Sequence, residues 1–173
     1  MFNIPFGSFG SIQNLHNYLK PSSYTNTGTW ASPGNAYDLS SVNDTSTYSS
    51  KSISRILFGI TISSCTWNFG SNLPTENYTS KILYINWEIA AITDTGLTSP
   101  SLELSYSTDS GTNWNLIDFY YTVTTGQASV LLSSTQDLTT LKIRAVVRVN
   151  VEIDNDLESI EGRVKDIWVD GLY

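Results

Sequence analysis

The sequence predicts an all-β protein, an antiparallel β-sandwich of jelly-roll-like character with a short N-terminal arm. Three observations point there. Serine and threonine make up 45 of the 173 residues, while the helix formers Ala, Glu and Lys are comparatively scarce. Segments of alternating apolar and polar residues follow one another with turn-forming residues between them. The clearest of these, "LKIRAVVRVNVEID", sets Leu141, Ile143, Ala145, Val147, Val149, Val151 and Ile153 on one face. Lys142, Arg144, Arg148, Asn150, Glu152 and Asp154 fall on the other. A period of two sustained over thirteen residues describes a strand with one buried and one wet face.

Taken in order, the chain opens differently from the rest. "MFNIPFGSFG" spreads Phe2, Phe6 and Phe9 among small residues with no sustained period. Such rings are costly to leave in water, so the segment either covers one end of the core or acts as an assembly arm on a neighbouring subunit. "SIQNLHNYL" has Ile12, Leu15, Tyr18 and Leu19 at helical spacing, Ser11 as an N-cap and Pro21 as a stop. The composition divides the chain into an extension over residues 1–24 and a sandwich over 25–173. Residues 22–54 read as loops with short strands at most.

Strands then follow. "SRILFGITISS" is apolar and β-branched, and "SKILYINWEIAAIT" sets Leu83, Ile85, Trp87, Ile89 and Ala91 on one face. "SLELSY" places Leu102, Leu104 and Tyr106 opposite Glu103 and Ser105. "NLIDFYYTVTT", "ASVLLSS" and the closing "RVKDIWVDGLY" complete six to eight strands, which means two packed sheets or a barrel.

Composition narrows the function. The net charge is −7 with only nine Lys and Arg residues, too few for the phosphate contacts on which nucleic-acid binding depends. No apolar run approaches the ~20 residues of a membrane span. The amino terminus has neither the basic flank nor the apolar core of a signal peptide. The single cysteine, Cys65, allows no intrachain disulfide and no thiolate metal cluster, and is expected to be a small buried apolar group. Together these predict a soluble protein made in a reducing cytoplasm, with no cofactor.

Catalytic parts are scarce. The one histidine, His16, cannot build a triad or a multi-histidine metal site. Glu88 and Glu103 are the strand carboxylates available for a glycosidase pair, and both fall on outward faces. "EIDNDLESIEG" gathers Glu152, Asp154, Asp156, Glu158 and Glu161, conceivable as calcium ligands but without EF-hand spacing, and expected to be a solvated loop. The tryptophans and tyrosines suggest either core packing or a platform for stacking sugars.

"SYSTDSGTNW" is the most chemically suggestive decapeptide. Ser107, Asp109, Gly111 and Trp114 fit S-x-D-x-G-x-x-W, which resembles the Asp-box of sialidases and other β-proteins. The spacing is that of a hairpin: Asp109 accepts from backbone N–H groups, Gly111 supplies a positive φ, and Trp114 packs back over the turn. A structural turn is expected, away from any catalytic centre.

Several motifs in order resemble a family of β-sandwich domains in tailed-phage virion proteins. They are "TWASPGNAYD" (Thr29–Asp38), "STY" (Ser46–Tyr48), "WNFGSNLP" (Trp67–Pro74), "KILYINWEI", the Asp-box-like turn, "LKIRAVVRV" and "DIWVDGLY". They span residues 29–173; Tyr84 stands where that family usually has glycine. The resemblance implies a non-enzymatic virion structural protein, a capsid decoration (cement) or tail and baseplate component, carrying no catalytic residues. Its partners would be other virion proteins and further copies of itself in a closed homo-oligomer, a trimer being expected. The alternative class is a carbohydrate-binding module or receptor-binding tip.

Overall fold

The computed structural model describes residues 17–37, 43, 45–74, 78–94, 99–152 and 157–172. Within them lie ten strands: β1 (Asn17–Leu19), β2 (Ser23–Thr27), β3 (Ser49–Arg55), β4 (Gly59–Asn68), β5 (Ser80–Asp94), β6 (Ser101–Ser107), β7 (Asn115–Tyr120), β8 (Thr124–Leu132), β9 (Lys142–Val151) and β10 (Glu158–Leu172). Two one-turn 3₁₀ segments, Pro33–Ala36 and Leu138–Thr140, are the described helical parts.

The strands form two antiparallel sheets. Sheet I has the order β1-β10-β5-β8, with β3 also on β10; sheet II has the order β2-β4-β9-β6-β7. From β3 to β10 the chain changes sheet at every connection except the β6–β7 hairpin, giving 3-10-5-8 facing 4-9-6-7. That is the double Greek key of a jelly-roll β-sandwich. β1 pairs with β10 in sheet I and β2 with β4 in sheet II.

Alternation builds the core. Leu141, Ile143, Ala145, Val147, Val149 and Val151 are all buried, facing Ile160, Val164, Ile167 and Val169 of β10. Each such Leu, Ile or Val side chain contributes roughly 1.5–3 kcal/mol by leaving water. Trp67 is fully buried, donates from its indole nitrogen to the Pro33 carbonyl at 2.9 Å, and meets Trp30 edge-on. Across the layers, Trp87 of β5 stacks on Tyr120 of β7 at 3.6 Å. Gly162 lets the sheets close, because a Cβ there would lie 2.6 Å from Val147 Cγ1.

The structure corrects several sequence expectations. Tyr18 and Leu19, placed on a helix by spacing, are strand residues, held by pairing with Asp170 and Val169. Residues 22–54, by contrast, hold loops with the short strands β2 and, as far as Ser54, β3, as expected. "SRILFGITISS" is two strands: the Arg55 guanidinium bonds the carbonyls of Leu57 and Phe58 at 2.7 and 2.6 Å, and Gly59 turns at φ 124°. "NLIDFYYTVTT" is also two, β7 in sheet II and β8 in sheet I. Ala91 faces out, since the register slips between Glu161↔Ala91 and Gly162↔Ile89, leaving Ala90 extra. Such a bulge reverses the phase, so Ile92 packs on the core instead. Ile153 lies outside the described residues.

Candidate functional site

The decapeptide forms a closed turn after β6. The buried Ser107 hydroxyl donates to Asp109 Oδ1 at 2.7 Å and accepts from the Gly111 N–H at 2.8 Å. Asp109 also accepts from the Asn113 backbone N–H at 2.9 Å and side-chain amide at 2.6 Å. The Asn113 N–H, the Ser107 hydroxyl and the Asn113 amide hold the Asp109 carboxyl down to about 2. Ser110 and Gly111 both take positive φ, 62° and 90°. Trp114 carries the Arg144 guanidinium over its ring at 4.2 Å. The carboxylate serves its own turn. Asn113 and Arg144 were not singled out from sequence: one acts through an amide, the other comes from β9.

The carboxylates proposed for catalysis do not converge. Glu88 lies on the outer face of sheet I, paired with Arg163 at 3.1 Å and Lys165 at 3.3 Å. Glu103 lies on the outer face of sheet II, 3.5 Å from Arg144. Both sheets and the core stand between them. Stacked sheets alone are ~10 Å apart, beyond the roughly 5–9.5 Å of a glycosidase pair. Cys65 is fully buried, and burial pushes its thiol up to about 12. His16, Asp154 and Asp156 lie outside the described residues. Of the rest of the acidic stretch, Glu152 is exposed, Glu158 is buried at the start of β10, and Glu161 binds Arg163 at 2.7 Å. No group of three metal-ligating side chains gathers among the described residues.

Tryptophan offers no open platform. Trp30, Trp67, Trp87 and Trp168 are buried, and Trp114 lies under Arg144. Trp168 stacks on Tyr84 at 5.0 Å on the outer face of sheet I. Asn86, on the same face, is covered too, bonded to Asn43 at 3.0 Å and Gln127 at 3.0 Å. Phe119 and Tyr121, at the end of β7, do form an open aromatic pair, with rings 6.2 Å apart and 23° from parallel.

Exposed apolar side chains gather at the β3–β4 end of the described residues. Ile56, Leu57 and Phe58 form the β3–β4 turn, and Phe58 is 67% exposed. Ile60 and Ile62 continue from it on the outer face of β4, 55% and 50% exposed. Leu157, next to the Glu158 that pairs with Arg55, is exposed at the same end. β2 pairs with Ser64–Asn68 only, so among the described residues no strand covers the Gly59–Ser63 flank. A contiguous apolar surface on an open sheet edge is the usual mark of a protein contact. Sequence reasoning missed it because "SRILFGITISS" reads as a buried run. Counting back from Trp67 in steps of two gives Cys65, Ser63 and Thr61 inward and the isoleucines outward.

Comparison with known proteins adds the following. No protein-family model matches the chain, and no curated protein matches it in sequence. Among solved structures, the chain is similar to the CBM22-1–GH10 modules of endo-1,4-beta-D-xylanase 10B of Clostridium thermocellum, complexed with xylohexaose. That match has 13% identity and TM-score 0.44 and covers 92% of this chain and 28% of that one. It is similar to CBM32 of AlyQ in complex with 4,5-unsaturated mannuronic acid, at 14% identity and TM-score 0.37, over 88% and 96% of the two chains. It is also similar to the enzymatically active domain of tailspike protein 4 of bacteriophage CBA120, at 11% identity and TM-score 0.41. There it covers 93% of this chain and 20% of that one.

Proposed function

We propose that this chain is a non-enzymatic virion structural protein, a capsid-surface decoration or tail and baseplate component that works by assembling through protein contacts. The observation that carries the reading is the exposed surface of Ile56, Leu57, Phe58, Ile60 and Ile62 along a flank of β4 that no described strand covers. A monomer leaves few such patches in water, whereas a subunit buries them. The ordered motifs resembling phage virion domains support the virion setting. Antibody labelling of purified particles tests it. Regular gold label on capsid or tail is expected; a protein found only in the soluble fraction of the lysate contradicts it.

The second reading, a carbohydrate-binding module or receptor-binding tip, is favoured by the open Phe119–Tyr121 pair. Aromatic faces of this kind stack on the apolar side of sugar rings. A glycan array separates the readings. Assembly predicts no saturable signal, while recognition predicts one that Tyr121→Ala abolishes.

A further inference from the structure

We propose that β8 is a self-pairing edge: two copies of this chain join antiparallel along residues 126–132, running sheet I of one into sheet I of the other. The inference rests on the assembly reading and names the partner as a second copy.

An edge strand presents a row of unpaired backbone N–H and C=O groups, and proteins guard such edges by shortening, charging or bending them. Four edges of this sandwich are treated so. β1 has three residues and β2 five. β3 carries Lys51 and Arg55. β7 carries the exposed Asp118, and its pairing is interrupted by a register shift opposite Leu104 and Ser105. β8 has none of these devices. Its nine residues, Thr124–Leu132, include no charge and no proline, and they pair with β5 without a register shift. Among the described residues no strand pairs with its other side. Leu131 is 72% exposed there, and Gln127 and Ser129 on the same face are exposed as well.

The strand suits a copy of itself. Each chain has a net charge of −7, so two copies meet at least cost where neither brings a charge. A two-fold antiparallel pair over residues 126–132 is centred on Ser129. On the core side Gly126 then faces Leu132 and Ala128 faces Val130, small against large. On the outer side Leu131 faces Gln127, whose amide is already held by Asn86 at 3.0 Å, so its methylene stem is what the leucine meets. Such a contact is isologous and closes on itself as a dimer. Residues 119–123 lie outside it.

Disulfide trapping in the full-length chain tests this. Two facing residues of an antiparallel pair have Cα atoms about 4.5–5.5 Å apart, inside the roughly 4.4–6.8 Å that a disulfide spans. Mildly oxidised Ser129→Cys should therefore give a covalent two-chain species on a non-reducing gel. Gln127→Cys faces Leu131 of the other copy, so it should cross-link at least about tenfold more slowly. Adding Leu131→Cys to it should restore the fast rate. Cys65 is fully buried and does not compete. As a second measurement, Ser129→Asp sets two carboxylates against each other and should lower the light-scattering mass of a chain that otherwise has a multi-copy mass. Equal trapping rates at Ser129 and Gln127, a mass that Ser129→Asp leaves unchanged, or a single-chain mass for the unaltered protein overturns the proposal. Equal trapping in a protein that keeps its multi-copy mass and labels particles overturns the edge pairing and leaves the assembly reading standing. Fast trapping at Ser129 with no label on particles does the reverse.

Discussion

Asp109 has the surroundings of a reactive carboxylate on paper and those of a turn in space. Its oxygens are occupied by Ser107 and Asn113, so what it contributes is local order. Ser107→Ala should cost about 1–3 kcal/mol in urea denaturation, because the Gly111 N–H loses its acceptor. The depressed carboxyl also makes stability depend on pH. Its folded value, about 2, is below the ordinary 3.8, so its contribution is complete above the ordinary value and fades as pH falls from about 4 toward 2. Asp109→Asn should flatten that part of the acid limb, read as the urea midpoint against pH. At this scale the serine, aspartate and glycine were legible because their spacing encodes the turn. Asn113 and Arg144 were not, because a partner's identity depends on where the chain returns.

Among the elements, β9 was legible end to end, since one uninterrupted phase runs from Leu141 to Val151. β5 was legible only to Ile89, because the bulge at Ala90 leaves no trace in the hydrophobic pattern while inverting everything after it. The β3–β4 turn was hidden for a different reason: it is closed by the Arg55 side chain on Leu57 and Phe58, and its residues are as apolar as a core strand. β10 approaches sheet II closely at Gly162, where the packing can be tested. Gly162→Ala forces a methyl group against Val147 Cγ1 and should destabilise by about 1–3 kcal/mol. Adding Val147→Ala should restore part of that loss, so the pair of changes falls short of the sum of the singles in denaturant midpoints.

For the molecule as a whole, the jelly roll accounts for where an interface can sit. Two sheets that share one core leave four edges and two outer faces. The outer face of sheet I carries ion pairs and amides, Glu88 with Arg163 and Lys165, Asn86 with Gln127, beside the Tyr84–Trp168 stack and the exposed Leu131. One edge of sheet II instead presents isoleucines and a phenylalanine. The fold class was legible because strand alternation is a local signal repeated many times. The interface was not, because exposure of an apolar run is a property of the assembled sheets. Amide hydrogen exchange measured across a dilution series tests the central claim most directly. The account predicts that amides of residues 56–63 exchange at least tenfold more slowly in the concentrated protein than in the dilute one, while those of residues 119–123 do not change. Equal exchange of residues 56–63 at every concentration, with protection of residues 119–123 appearing only when a glycan is added, would contradict it.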